Sequence, residues 1–160
     1  MADKRYDDAT AQPPEPDPAL RRLDRFVGTW EVRGRTLDAE EDNVSGRLTF
    51  EWLPGGFFLQ QHVELDFGGM QIEALEVIGY DPATGRFPST VFANMFGEPI
   101  PYEYEIDGRA FTIRTELAGG ATYTGRFSAD GETASGGWRP NPGAEGPGNT
   151  AYDVVGKRVV

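Results

Sequence analysis

Few side chains here can do chemistry, and their positions narrow what it could be. The chain has one histidine and no cysteine, which removes thiol nucleophiles, thiolate zinc sites and iron–sulfur clusters. The histidine, His62, sits between Gln60 and Glu64 at alternate positions, on the polar side of its segment. Glu76 is the carboxylate to weigh first. Met70, Ile72, Ala74 and Ile78 share its parity, so simple alternation turns it toward an apolar interior. Burial raises a carboxyl pKa and suits it to general acid or base work. Leu75 and Val77 favour the opposite register for the second half of that segment, so both orientations stay open. Tyr102 and Tyr104 are of the right type to supply proton transfer or hydrogen bonds. Glu76, Tyr102 and Tyr104 are the catalytic candidates.

A second group of residues reads as the wall of a binding pocket. Phe92, Asn94, Phe96, Tyr102 and Tyr104 form the densest aromatic cluster, with Tyr123 and Trp138 on later segments. Aromatic walls carrying a few amides and hydroxyls are the usual lining of a small-molecule site. Phe50, Leu59, Gln61, Val63, Phe92, Asn94, Tyr102, Tyr104, Tyr123 and Trp138 are therefore expected to contact a ligand. Other polar runs have plainer readings. Asp38 to Asp42 lacks the spacing and glycine of a calcium loop and reads as a solvated hairpin tip. Asp81, in Tyr80-Asp81-Pro82-Ala83-Thr84-Gly85, has the turn chemistry of a type I turn with a bulge, which gives it a structural role. No metal and no cofactor are expected.

These residues must be positioned by strands. Residues 1–17 are acidic, proline-rich and aperiodic, which predicts a disordered tail ahead of one domain spanning 18–160. Asp17-Pro18 is a helix start, and Leu20, Leu23 and Phe26 (or Val27) give a short amphipathic helix that Gly28 ends. Period-two alternation then predicts ten strands, at about 29–37, 43–53, 57–67, 70–80, 86–96, 100–107, 109–117, 121–128, 132–139 and 149–159. Pro54-Gly55-Gly56, Gly68-Gly69, Asp107-Gly108, Gly119-Gly120 and Asp130-Gly131 are tight-turn signals between them. A ten-strand antiparallel meander must close or leave costly edges, so the expected fold is all-β, an up-and-down barrel with a short N-terminal helix. A barrel of ten strands is wider than the eight-stranded kind that side chains just fill, so an interior cavity follows. The 140–148 segment, rich in proline and glycine, is too long for a tight hairpin; it reads as a plain flexible loop, with a flap over one barrel end as the alternative.

Composition excludes further classes. The 160 residues carry 15 Lys+Arg against 26 Asp+Glu, a net charge of −11. That argues against a nucleic-acid partner, which needs clustered cations. No apolar run approaches the ~20 residues of a membrane span, and the N-terminus has no signal-peptide core, so a cytoplasmic location with no membrane partner is expected. Oligomeric state is not readable from the sequence.

Val27-Gly28-Thr29-Trp30 after a short helix, Leu53-Pro54-Gly55-Gly56-Phe57-Phe58-Leu59, and Ile78-Gly79-Tyr80-Asp81 before an aromatic-rich strand together resemble a family of uncharacterised bacterial lipocalin-like domains of the calycin superfamily. The resemblance covers residues 20–158. It implies a ten-stranded barrel related to nitrobindin and the fatty-acid-binding proteins, and no particular activity. It also implies that a last-strand cation, Lys157 or Arg158, stacks on Trp30 to close the barrel. Two features of those relatives are missing. Thr150 to Val160 contains no histidine to hold haem, and no Arg-x-Tyr pair to hold a fatty acid. The expected function is a barrel that holds an apolar or aromatic small molecule. The alternative is a cofactor-independent cyclase or isomerase acting on a hydrophobic metabolite.

Overall fold

The computed structural model describes residues 14–159. The expected disorder of residues 1–13 therefore lies outside the described residues, and 14–17 carry no regular structure. A 3-10 helix, η1 (Pro18–Phe26), leads into ten strands: β1 (Gly28–Thr36), β2 (Val44–Trp52), β3 (Leu59–Phe67), β4 (Met70–Ile78), β5 (Phe87–Ala93), β6 (Ile100–Asp107), β7 (Ala110–Thr115), β8 (Ala121–Phe127), β9 (Thr133–Pro140) and β10 (Tyr152–Arg158). Each strand pairs antiparallel with its neighbours in sequence, and β10 closes on β1. The expected barrel and all ten strands are present. Closure leaves no strand edge unpaired.

The expected short helix takes the 3-10 form for a readable reason. Leu20, Leu23 and Phe26 are spaced by three, and a 3-10 helix of three residues per turn stacks such positions along one line. All three are buried, and Phe26 seals the barrel floor. The Asp17 carboxylate caps the start, accepting the Ala19 N–H at 2.9 Å.

Arg158 adds side-chain ties to the closing β1–β10 ladder. Its guanidinium lies 4.3 Å from the Trp30 ring centroid. It also donates to the carbonyls of Val27, Arg25 and Gly131. The cation therefore ties the last strand to the first, to the end of η1 and to the β8–β9 turn. Lys157, one residue away, is exposed to solvent. Asp81 is structural, as its turn chemistry predicts. Its carboxylate accepts from the Ala83 N–H at 3.0 Å and the Thr84 hydroxyl at 3.3 Å, while its carbonyl accepts from the Gly85 N–H at 2.8 Å. Gly85 has a φ of 72°, where a side chain would be strained.

The core is concentrated at the floor. Leu59 and Ile78, partners across β3 and β4, are fully buried with Phe87 and Leu23, and the ring of Phe26 is buried against them. Gly125 makes room there. A Cβ at that position would lie 2.5 Å from the Phe111 ring, which covers this cross-strand neighbour. A smaller cluster of Ala74, Val91 and Ile100 packs nearer the other end. Among the described residues no helix is long and apolar enough to cross a membrane.

Candidate functional site

The upper part of the barrel is hollow. Its cavity has a volume of about 520 Å³, within the ~300–1,000 Å³ range of small-molecule sites. Phe26, Trp30, Phe50, Phe111 and Phe127 form the floor. Met70, Met95 and Phe96 are exposed and line the mouth. The walls are mostly apolar, with a belt of polar groups at mid-height.

Glu76 lies in that belt. Alternation holds through the whole of β4, so the carboxylate points inward and is 3% exposed. The Ser89 hydroxyl donates to one oxygen at 2.6 Å and the Tyr104 hydroxyl to the other at 2.8 Å. Loss of hydration drives the Glu76 pKa up to about 7, and the two donated hydrogen bonds oppose that rise only in part. Leu75 and Val77, which favour the opposite register by composition, lie on the outer face, where Leu75 pairs with His62 and Phe92.

The neighbouring phenols stay protonated. Burial, then the nearby Glu76, pushes Tyr102 up to about 12. The same two causes, with the hydrogen bond to Glu76, hold Tyr104 well above the ordinary phenol value. Burial and Asp153 bring Tyr123 to about 12, and burial also raises Tyr152. Gln61 completes the belt. It faces Glu76 across the β3–β4 ladder, is 8% exposed, and opens onto the cavity with its amide unbonded to any other side chain among the described residues. The arrangement offers a ligand an apolar container, hydroxyl and amide donors, and one titratable carboxyl near neutrality.

Residues 15–133 match the family described as "Protein of unknown function (DUF1579)". The chain belongs to that family. No curated protein matches it. Among solved structures it is similar to the crystal structure of Rv2717c from M. tuberculosis, at 16% identity and a TM-score of 0.60, over 91% of this chain and 100% of that one. That similarity is one of fold.

In this DUF1579 member the expected pocket residues divide. Phe50, Gln61, Val63, Tyr102, Tyr104, Tyr123 and Trp138 line the cavity. Leu59, Phe92 and Asn94 do not. Leu59 is packed into the floor beneath the cavity. Phe92 is on the outer face, 48% exposed, because Phe87, Ser89 and Val91 take the inward positions of β5. Asn94 follows the end of β5 and extends the ladder instead, accepting the Glu73 N–H at 3.1 Å and donating to the Gln71 carbonyl at 3.0 Å. His62 is exposed on the outer face, as its polar neighbours predict.

Ser89, Thr115, Tyr152 and Asn149 line or serve the site, although sequence reasoning does not single them out. Ser89 shares parity with Phe87, which is the one signal that could have found it. Tyr152 packs edge-on against Phe67 at 4.9 Å. Asn149 ties down the connection that the sequence reads as a plain loop or a flap. Its side chain is buried, and its amide donates to the Ala118, Gly120 and Ala144 carbonyls at 3.3, 3.0 and 3.0 Å. These bonds pin the β9–β10 connection to the residues before β8, including Ala118, which has a φ of 54°. Gly148, Asn149 and Thr150 of this connection line the cavity.

Proposed function

We propose that this protein is a binding protein for an apolar or aromatic small molecule held inside the barrel. The observation that carries this reading is the 520 Å³ cavity, walled by aromatic rings and carrying the amide of Gln61 with no side-chain partner. The amide is reachable from the cavity, because no buried side-chain nitrogen or oxygen among the described residues lacks a partner, so a ligand entering there can hydrogen-bond to it.

The test is a fluorescence titration with the neutral dye N-phenyl-1-naphthylamine. Saturable binding of one equivalent is expected, weakened by about tenfold or more in Val63→Trp, whose indole would occupy the cavity. Equal binding by the wild type and Val63→Trp would overturn the reading.

A second reading has one observation in its favour. Glu76 is inside the barrel with a pKa near 7, the value that suits a general acid or base at neutral pH. Beside neutral tyrosine donors it would serve a cofactor-independent isomerase or cyclase acting on a hydrophobic metabolite, with the cavity orienting the substrate. The two readings part on turnover, because a binding protein releases its ligand unchanged.

A further inference from the structure

We infer that the cavity selects a ligand with an apolar body and one cationic nitrogen, an amine or quaternary ammonium, seated against Glu76. This rests on the ligand-binding reading above and adds the charge of the ligand to it.

The cavity has one kind of charge to offer. Among the described residues that line it, Glu76 is the only carboxylate and there is no Lys, Arg or His. An anionic ligand would meet a carboxylate and the electron-rich faces of aromatic rings with no cation to receive it. A cation meets the Glu76 carboxyl, the Gln61 amide oxygen and aromatic ring faces. The Tyr102 and Tyr123 rings both stand edge-on to Trp138, each 5.6 Å away, and all three are half-buried or buried walls of the cavity. Such clustered rings attract ammonium groups through their quadrupoles, most strongly where water is excluded. The Gln61 side chain, beside Glu76 across the ladder, brings a carbonyl that can accept an N–H. The net charge of −11 draws cations toward the molecule before they reach the mouth.

Glu76 also supplies a proton linkage. It faces Gln61 from β3, Ser89 and Val91 from β5, and Tyr102 and Tyr104 from β6. The only titratable groups in that set besides Glu76 are the two tyrosines, both raised and neutral through the physiological range. A bound cation favours the ionised carboxylate, so its entry at mildly acidic pH must expel the Glu76 proton.

The experiment uses two probes of one shape, each measured by displacement of the dye from the full chain. They are (4-phenylbenzyl)trimethylammonium and its uncharged carbon isostere 4-neopentylbiphenyl. The quaternary nitrogen does not titrate, so any pH dependence belongs to the protein. The cation is expected to bind about tenfold more tightly at pH 8 than at pH 5.5, while the isostere changes less than about twofold. In Glu76→Gln the cation loses both its pH dependence and its advantage over the isostere. Tyr104→Phe, which removes a bond to the ionised form, shifts the cation's pH midpoint upward and serves if the Glu76→Gln variant folds poorly. Entry of the isostere with rejection of the cation overturns this inference alone. So does a cation pH dependence that survives in Glu76→Gln and does not move in Tyr104→Phe. Exclusion of both probes and the dye overturns the ligand-binding reading itself.

Discussion

Glu76→Gln is expected to stabilise the folded protein above pH 7, and to do so by an amount that grows with pH up to that point. In the unfolded chain the carboxyl ionises near its ordinary value of 4.5, while in the barrel its pKa is about 7. The folded state therefore holds the proton more tightly. Below pH 4.5 both states are protonated and the group costs no stability. As pH rises from 4.5 through 7, the unfolded chain releases its proton first and folding loses free energy. Above about pH 7 the loss levels off at about 3 kcal/mol, from 1.36 kcal/mol per pH unit. The group is 3% exposed, so solvent screening takes little from this figure. The substituted amide would keep the shape of the carboxyl; its carbonyl oxygen can accept from one of the two hydroxyls and its NH2 can donate to the other, without ionising. Urea unfolding of both proteins between pH 4.5 and 8.5 reads the difference directly. A gap widening from its pH 4.5 value by about 3 kcal/mol is the expected result. Parallel curves would mean that the carboxyl is hydrated in the folded state.

Phe26→Ala carries the other large effect. Phe26 is the last residue of η1 and the one that reaches into the barrel. Its ring lies 5.4 Å from Phe50, 6.0 Å from Tyr104, 5.0 Å from Phe111 and 4.9 Å from Phe127, mostly edge to face. Truncating a buried phenylalanine costs about 3–5 kcal/mol in transfer and cavity terms. At this chain length that lowers the melting temperature by about 10 °C. The loss has a second consequence, because Phe26 forms part of the cavity floor. Water admitted there would hydrate the belt above it through the Tyr104 contact and bring the Glu76 pKa back down. Calorimetry together with the pH series above measures both. A loss below about 1 kcal/mol would show that η1 sits against the barrel without sealing it.

The ten strands are legible in the sequence because their turns are written in short-range chemistry. Asp81 to Gly85 and the glycine pairs act within five residues, and closure follows from leaving no edge. Trp30 and Arg158 need the family resemblance, since nothing local links residues at opposite ends of the domain; the β1–β10 register brings them opposite each other. Glu76 is legible as a pair of alternatives. Alternation points it inward while Leu75 and Val77 point it outward, and the structure shows why the apolar pair misleads: Leu75 has Phe92 beside it on the outer face. That same outer pairing takes Phe92 out of the pocket. The partners of Glu76 are not legible. Ser89 and Tyr104 reach it only through the registers of β4 on β5 and β5 on β6, which no single segment encodes. The 3-10 form of η1 is available in the spacing of Leu20, Leu23 and Phe26, but the same three residues also fit an ordinary amphipathic helix.

Under the proposed function, the barrel interior receives the ligand. The most direct measurement is a two-dimensional NMR titration of isotopically labelled protein with the dye, following isoleucine and leucine methyls and aromatic rings. Shifts at Ile72, Ile113, Tyr102 and Tyr123, which line the cavity, are predicted, with Leu75 and Phe92 on the outer face unchanged. Shifts confined to Leu75 and Phe92, with the interior signals still, would contradict it.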